Sequence, residues 1–461
     1  MRDRVRATTL LALRWQKTRA AQMPTTRSTT VAPAKPERNF RAMAKSGRTP
    51  GWSVEKRMLF PRMMNSDQPE LSRHRSSFSA RVRLNGCGFT AIMRNSAGII
   101  SRVKCGEFYW IFLTADLKFV FFILLDTYFL ANDQCGAWLS RLAGRFNLFY
   151  PALLEERVHW QKYISADFRL EQLALRQIRA AEPIKPFLFS PRERVASFPE
   201  PLNSDGKDMP ALLFGLKGCD LRGIAVHKKM FLEGEFADPF YARRLENTYF
   251  IGADCPVPEP SCFCNLLGLK PFFTQEVDLS LSVLDDGWLV EVISERGREL
   301  IDGNFVPANG SQLSQRQAQR ERALAVLKQQ NPKEWNPNLA QAIAERTRDR
   351  KFWADAGADC VECFGCLVTC PTCFCFLLYD QGDAERFERT KVWDFCYIPM
   401  YARVGGGANP RPTFVQRFIN RFHCKFMHAK NQNGFYACSG CGRCFTTCMG
   451  RIDIRKILGQ L

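Results

Sequence analysis

From about Asn132 onward the chain alternates short apolar runs, bounded by turn residues, with segments of helical spacing. Ala137–Phe149 (AWLSRLAGRFNLF) puts Leu139, Leu142 and Phe146 on one helical face. Ala211–Leu216 (ALLFGL) and Tyr249–Gly252 (YFIG) read as short buried strands, with a helix predicted between them over Leu221–Phe236. Leu279–Leu284 and Trp288–Ile293 flank Asp285-Asp286-Gly287 and predict a hairpin, because glycine accepts the positive φ that such turns need. Pro183, Pro186 and Pro191 mark EPIKPFLFSPRERV as an extended linker. Helices are predicted over Gln312–Lys328 and Leu339–Phe352, leading into a cysteine-rich segment. The pattern is an α+β chain: a mixed α/β domain over 130–310, then a mainly α-helical domain over 311–461.

Residues 1–105 show neither a period of two nor one of 3.6, and read as a disordered arm. The same composition would follow from a translation start placed upstream of the true one. Charge sets this arm apart. Of 461 residues, 65 are Lys or Arg and 46 Asp or Glu, a net +19. Residues 1–105 hold 22 of the bases and 5 of the acids, so the rest of the chain is close to neutral. A nucleic-acid-binding body would carry a basic face of its own, so no nucleic-acid partner is expected. The longest apolar stretch, Tyr109–Leu130, contains Asp116, Lys118 and Asp126, and its uncharged core Phe119–Leu125 falls far short of the roughly 20 residues that span a bilayer.

The chain has 19 cysteines. Twelve lie between Cys360 and Cys448 and four between Cys219 and Cys264; the others are Cys87, Cys105 and Cys135. An odd total at two- and three-residue spacings is a poor disulfide framework. With no convincing signal peptide, it fits a reducing, cytoplasmic compartment.

Cys360-x2-Cys363-x2-Cys366-x3-Cys370-Pro371 is the bacterial ferredoxin run, and Cys438-x2-Cys441-x2-Cys444-x3-Cys448 repeats it with Met449 in place of the proline. Three thiolates two residues apart can wrap one cubane. The fourth points away and, in two-cluster ferredoxins, ligates the other cluster. One [4Fe–4S] cluster is therefore assigned to Cys360, Cys363, Cys366 and Cys448, the second to Cys438, Cys441, Cys444 and Cys370. Zinc also takes CxxC pairs, and Cys366-x3-Cys370-x2-Cys373 has radical-SAM spacing, but two matching four-cysteine runs favour the dicluster reading. Phe364, Phe374, Phe376 and Phe445 are expected to pack around the clusters. For Arg443, Lys425 and Arg451 a solvated surface is the default expectation, with compensation of cluster charge or docking of an acidic partner as the functional alternative.

CVECFGCLVTCPTCFCF (Cys360–Phe376), KVWDFC, GGGANPRP and CSGCGRC resemble the iron–sulfur component of anaerobic sulfite reductase and, equally, the beta subunit of sulfhydrogenase-type [NiFe] hydrogenases. GLKGCDLRGI, DPFYARRLENTYFIGADC, CFC (Cys262–Cys264) and EPIKPFLFSPRERV extend the resemblance over about 130–461. Cys424 departs from it by interrupting the usual His-Lys pair. The resemblance implies an electron-transfer role between two partners: a flavin-containing NAD(P)H or ferredoxin reductase, and a catalytic siroheme or NiFe subunit.

No Walker A loop, GxGxxG, GxSxG or HExxH occurs, and no catalytic residue is expected. His227 reads as a surface or core residue. The alternative function is cluster-based disulfide or sulfur reduction through Cys373, Cys375 and Cys396. A third cluster is the alternative to inert buried thiols for Cys219, Cys255, Cys262 and Cys264, whose spacings match no standard run.

Overall fold

The computed structural model describes residues 126–199, 209–272, 275–383 and 385–461, with short paired strands between Ser79 and Ile111. The chain divides into two units, Met1–Ile123 and Leu124–Leu461. The expected arm lies outside the described residues, apart from short hairpins such as Arg102–Cys105 paired with Phe108–Ile111. Among the described residues no helix is long and apolar enough to cross a membrane.

The second unit is built on an eight-stranded mixed sheet. In chain order its elements are β1 (Thr127–Ala131), α1 (Asn132–Arg145), β2 (Asn147–Leu154), β3 (Arg157–Lys162), β4 (Ala211–Leu216), α2 (Gly218–Phe231), β5 (Thr248–Ala253), β6 (Leu279–Val283), β7 (Gly287–Val292) and β8 (Val306–Pro307). Their spatial order is β8-β1-β7-β6-β5-β4-β2-β3. The central pairs β2–β4, β4–β5 and β5–β6 are parallel; the rest are antiparallel. The β6–β7 pair is the hairpin that Asp285-Asp286-Gly287 predicts. The helix over Ala137–Phe149 ends earlier than its spacing suggests: Phe146 is the C-cap and Asn147 opens β2.

Period-two alternation distributes β4 between two cores. Leu212 and Phe214 join Trp138, Leu139 and Leu142 of α1 on one face. Leu213 joins Leu221, Ile224 and Phe231 of α2 on the other. Gly215, at φ +79°, carries a bulge that shifts the register between Phe214 and Leu216, returning Leu216 to the second face. This second core continues into the cysteine-rich segment through Trp353, Phe418, Phe422 and Ile457.

Three expectations are corrected. EPIKPFLFSPRERV is not an extended linker: Lys185–Leu188 forms a helical turn, and Ile184, Lys185, Leu188 and Phe189 are all buried. Its apolar residues supply core contacts that three prolines in sequence disguise. The cysteine-rich region also contains a hairpin, Phe376–Gly382 with Phe387–Trp393, whose second strand pairs with Arg192–Phe198. The helix over Leu339–Phe352 is interrupted. Leu339–Arg346 ends, and Asp349 caps a new helix, Arg350–Ala356, by accepting from the Phe352 N–H at 3.0 Å.

Candidate metal centre

The two cysteine runs share one backbone design. Each opens on a loop with positive φ at equivalent places: Glu362 (+48°) and Phe364 (+61°) in the first, Gly440 (+65°) and Gly442 (+72°) in the second. Each then enters a four-residue helix, Gly365–Val368 or Arg443–Thr446. The turn aims a backbone N–H at the first thiol of each run, from Glu362 to Cys360 and from Gly440 to Cys438. Glycine holds this conformation without strain in the second loop; the first imposes it on Glu362 and Phe364, an uncommon backbone state for non-glycine residues.

The runs pack against each other with their ends crossed. A Cβ on Gly365 would lie 2.7 Å from Thr447 Cγ2, so the two short helices touch. A Cβ on Gly450 would meet the Asp359 carbonyl, so the tail of the second run lies on the head of the first. Conversely, Thr372 Oγ1 donates to the Ala437 carbonyl at 2.8 Å, tying the tail of the first run to the head of the second. Cys448 accordingly lies within electrostatic reach of Cys360 and Cys366, and Cys370 of Cys438 and Cys444.

Burial pushes the Cys366 and Cys438 thiols up to about 12 and raises Cys360 and Cys444 as well. Cys370 is the exception. A hydrogen bond from Cys373 holds it well below the usual thiol value, and Lys425 assists against burial. Lys425 Nζ donates to Cys370 Sγ at 3.3 Å, Thr372 Oγ1 at 2.8 Å and the Ala437 carbonyl at 3.2 Å.

Lys425 is one of a row. Arg417, Arg421 and Lys425, four residues apart along Phe414–Phe422 and the π-helical turn His423–His428, are all buried. Arg417 Nη2 pairs with Glu362 Oε2 at 2.7 Å inside the first loop, and Arg421 faces Cys366 and Cys444. Arg443 is buried too and pairs with Asp220 on α2 at 3.0 Å. The expectation of solvated bases thus holds only for Arg451. Phe364, Phe374 and Phe445 are half-buried, whereas Phe376 is 40% exposed with its ring against Phe231.

The Cys370 interaction raises the Cys373 thiol, and burial raises Cys375 and takes Cys396 to about 12. A disulfide-attacking nucleophile is favoured by a shift in the opposite direction. His227 is a core residue, its ring packed edge-on against Phe189 and Phe231.

The donor set suits iron–sulfur clusters. Eight thiols stand on two interlocked loops, with buried cations and backbone N–H groups turned toward them. Among the described residues no three His, Cys, Asp or Glu side chains converge as tightly as one ion requires. A cubane makes no such demand, because each of its four thiolates bonds a different iron.

Comparison with known proteins agrees. Residues 359–452 match the 4Fe-4S dicluster domain family. The chain is 33% identical over 301 residues to sulfhydrogenase 2 subunit beta of Pyrococcus furiosus, covering 63% of this chain and 86% of that protein. It belongs to the sulfhydrogenase beta-subunit family. No solved structure matches. As a member of that family with a 4Fe-4S dicluster domain, the chain is an iron–sulfur protein of electron transfer, and its cofactors are [4Fe–4S] clusters.

Proposed function

We propose that the chain is the subunit that passes single electrons through two [4Fe–4S] clusters, from a flavin-bearing NAD(P)H subunit to a catalytic NiFe or siroheme subunit, in the cytoplasm. Cys360, Cys363, Cys366 and Cys448 hold one cluster; Cys438, Cys441, Cys444 and Cys370 hold the other. A bound [4Fe–4S] cluster supplies one-electron redox chemistry. The residues around it determine how that chemistry is used. Lys425, Arg421 and Arg417 offset the negative charge of the thiolates, and the half-buried aromatics limit water. The helical cysteine domain, 311–461, is the electron-transfer part of the chain, and the α/β domain braces it: α2 lies so close to Cys370-Pro371 that a Cβ on Gly223 would sit 2.9 Å from the Pro371 carbonyl.

The first cluster is the one nearer a partner. Cys363 is exposed, and Val361 and Met449, each next to one of its ligands in sequence, are exposed as well. Apolar residues at such a rim suit docking of another subunit.

The observation that carries this reading is the crossed packing of the two runs, Asp359 against Gly450 and Thr372 against Ala437. It makes the sites interdependent. Cys448→Ser is expected to damage the cluster wrapped by Cys360, Cys363 and Cys366 and to spare the one wrapped by its own loop. Low-temperature paramagnetic resonance of the dithionite-reduced, anaerobically purified chain tests this. Selective loss of the other signal would refute the assignment, and a colourless preparation with no signal would refute the function.

A further inference from the structure

Four cysteines outside the two runs occupy one place. Cys219, Cys255, Cys262 and Cys264 all line a single small cavity. They arrive there from different elements. β4 and β5 are adjacent parallel strands with Leu216 opposite Gly252. Cys219 and Cys255 each follow three residues later, so the two thiols leave the same carboxyl edge of the sheet, where ligands of open α/β sheets bind. The segment carrying Cys262 and Cys264 closes the cavity from the side. It is pinned by Gln330 Nε2 and Asn331 Nδ2, which donate to the Cys262 carbonyl at 3.0 and 2.9 Å, and by Arg455 Nη1, which donates to the Pro260 carbonyl at 2.6 Å. All four cysteines are free thiols.

The lining is also basic. Arg179 and Lys217 are buried in it, and Arg179 Nε has no hydrogen-bond partner among the described residues. Inert thiols packed in a core need no cation beside them. Arg179 Nη1 reaches Glu259 Oε2 only at 3.6 Å, and its unsatisfied Nε–H leaves the guanidinium, which has Cys441, Cys262 and Cys219 around it, able to take a further anionic partner. Thiolates bound to iron provide one.

We infer that Cys219, Cys255, Cys262 and Cys264 hold a third [4Fe–4S] cluster. Its assembly exchanges four S–H bonds for four Fe–S bonds and releases four protons, with no change in the oxidation state of the cysteines. The site adjoins the dicluster segment: Cys441 lines the same cavity, Gly440 accepts from the Phe263 N–H at 2.8 Å, and a Cβ on Gly440 would lie 2.4 Å from Cys264. The third cluster therefore stands next to the second and lengthens the electron path toward the α/β domain. The irregular spacing of its ligands follows from the fold, because two of them are set by strand register rather than by a local loop.

Iron and acid-labile sulfide are counted in the anaerobically purified full chain and in Cys262→Ser/Cys264→Ser. Three clusters require about twelve irons in the parent, and the variant is expected to keep about eight while retaining both dicluster resonance signals. Cys219→Ala and Cys255→Ala, made singly, give the same readout with less disturbance of the pinned segment. Equal iron in the parent and all these variants overturns the third cluster and leaves the two-cluster function standing. Loss of the dicluster signals from the parent itself counts instead against that function.

Discussion

Removal of the Lys425 ammonium is the most direct probe of how this fold sets a redox site. Its Nζ lies 3.3 Å from Cys370 Sγ and the residue is only 4% exposed. A thiolate sulfur stands about 2.3 Å from its metal, so the charge added on reduction, spread over the cube, lies roughly 6 Å from the ammonium. At an effective dielectric of about 20, a unit charge at that distance contributes roughly 2.8 kcal/mol, and at about 1.4 kcal/mol per 59 mV for one electron this is of order 100 mV. Water entering the vacated space and relaxation of the loop reduce it, so Lys425→Met is expected to lower the potential of one cluster by about 50–100 mV. Lys425→Arg retains the charge and should restore most of the shift. The assay is a redox titration of the anaerobic chain followed by paramagnetic resonance, which separates the two clusters. The reasoning fails if neither potential moves, if the affected cluster is the one wrapped by Cys360, Cys363 and Cys366, or if the arginine variant shifts as far as the methionine one.

Two further outcomes follow from buried charge. Asp220 and Arg443 pair at 3.0 Å with each side chain 1% exposed, so Asp220→Asn leaves a buried guanidinium uncompensated and should cost about 3–5 kcal/mol in denaturant unfolding. Asp220→Leu/Arg443→Met should cost less than Asp220→Asn alone, and a larger cost would remove the argument. Burial lowers the His227 pKa from 6.5 to about 3, so between those values the unfolded chain binds a proton that the folded chain does not. Stability is then lost as pH falls below about 6.5, by about 1.4 kcal/mol per unit from this group. His227→Phe should therefore lose less stability than the parent between pH 7 and 5.5, and parallel pH profiles would show that the ring is protonated in the fold.

What could be read from the sequence was local. The β6–β7 hairpin, the ALLFGL strand and both cysteine runs each carry their signal within a dozen residues, and all stand where the sequence puts them. Arg192–Phe198 was not legible as a strand because its partner, Phe387–Trp393, lies almost two hundred residues away and no local pattern announces it. EPIKPFLFSPRERV was misread because three prolines outweighed Ile184, Leu188 and Phe189, which the fold buries. The row Arg417, Arg421, Lys425 had a readable spacing of four that went unused; of the three only Lys425 enters the sequence-based expectations, with solvent exposure as its default. For the four cysteines around the α/β cavity the sequence held the ligands without the geometry: their common site appears only once β4 and β5 are laid side by side.

The buried bases give these separate observations one physical cause. Lys185 donates to the Leu367 carbonyl at 3.2 Å, and Lys217 to the carbonyls of Leu175 and Asp254 at 2.6 and 2.8 Å, so neutral dipoles are what hold each ammonium. Desolvation tells on both: it takes Lys185 down to about 8 and lowers Lys217. Opposing that fall are Cys373 and Cys370 beside Lys185, of which Cys370 is assigned as a dicluster ligand, and Cys255, Asp254 and Cys219 beside Lys217. Cations placed this way are a liability while the thiols are protonated and an asset once the thiols are thiolates. Metal loading accomplishes that conversion, because a thiol that binds iron gives up its proton. The cost of burying these bases and the cost of ionising the ligand cysteines beside them therefore offset one another in part, which links the stability of the cysteine-rich half of the fold to the clusters it holds.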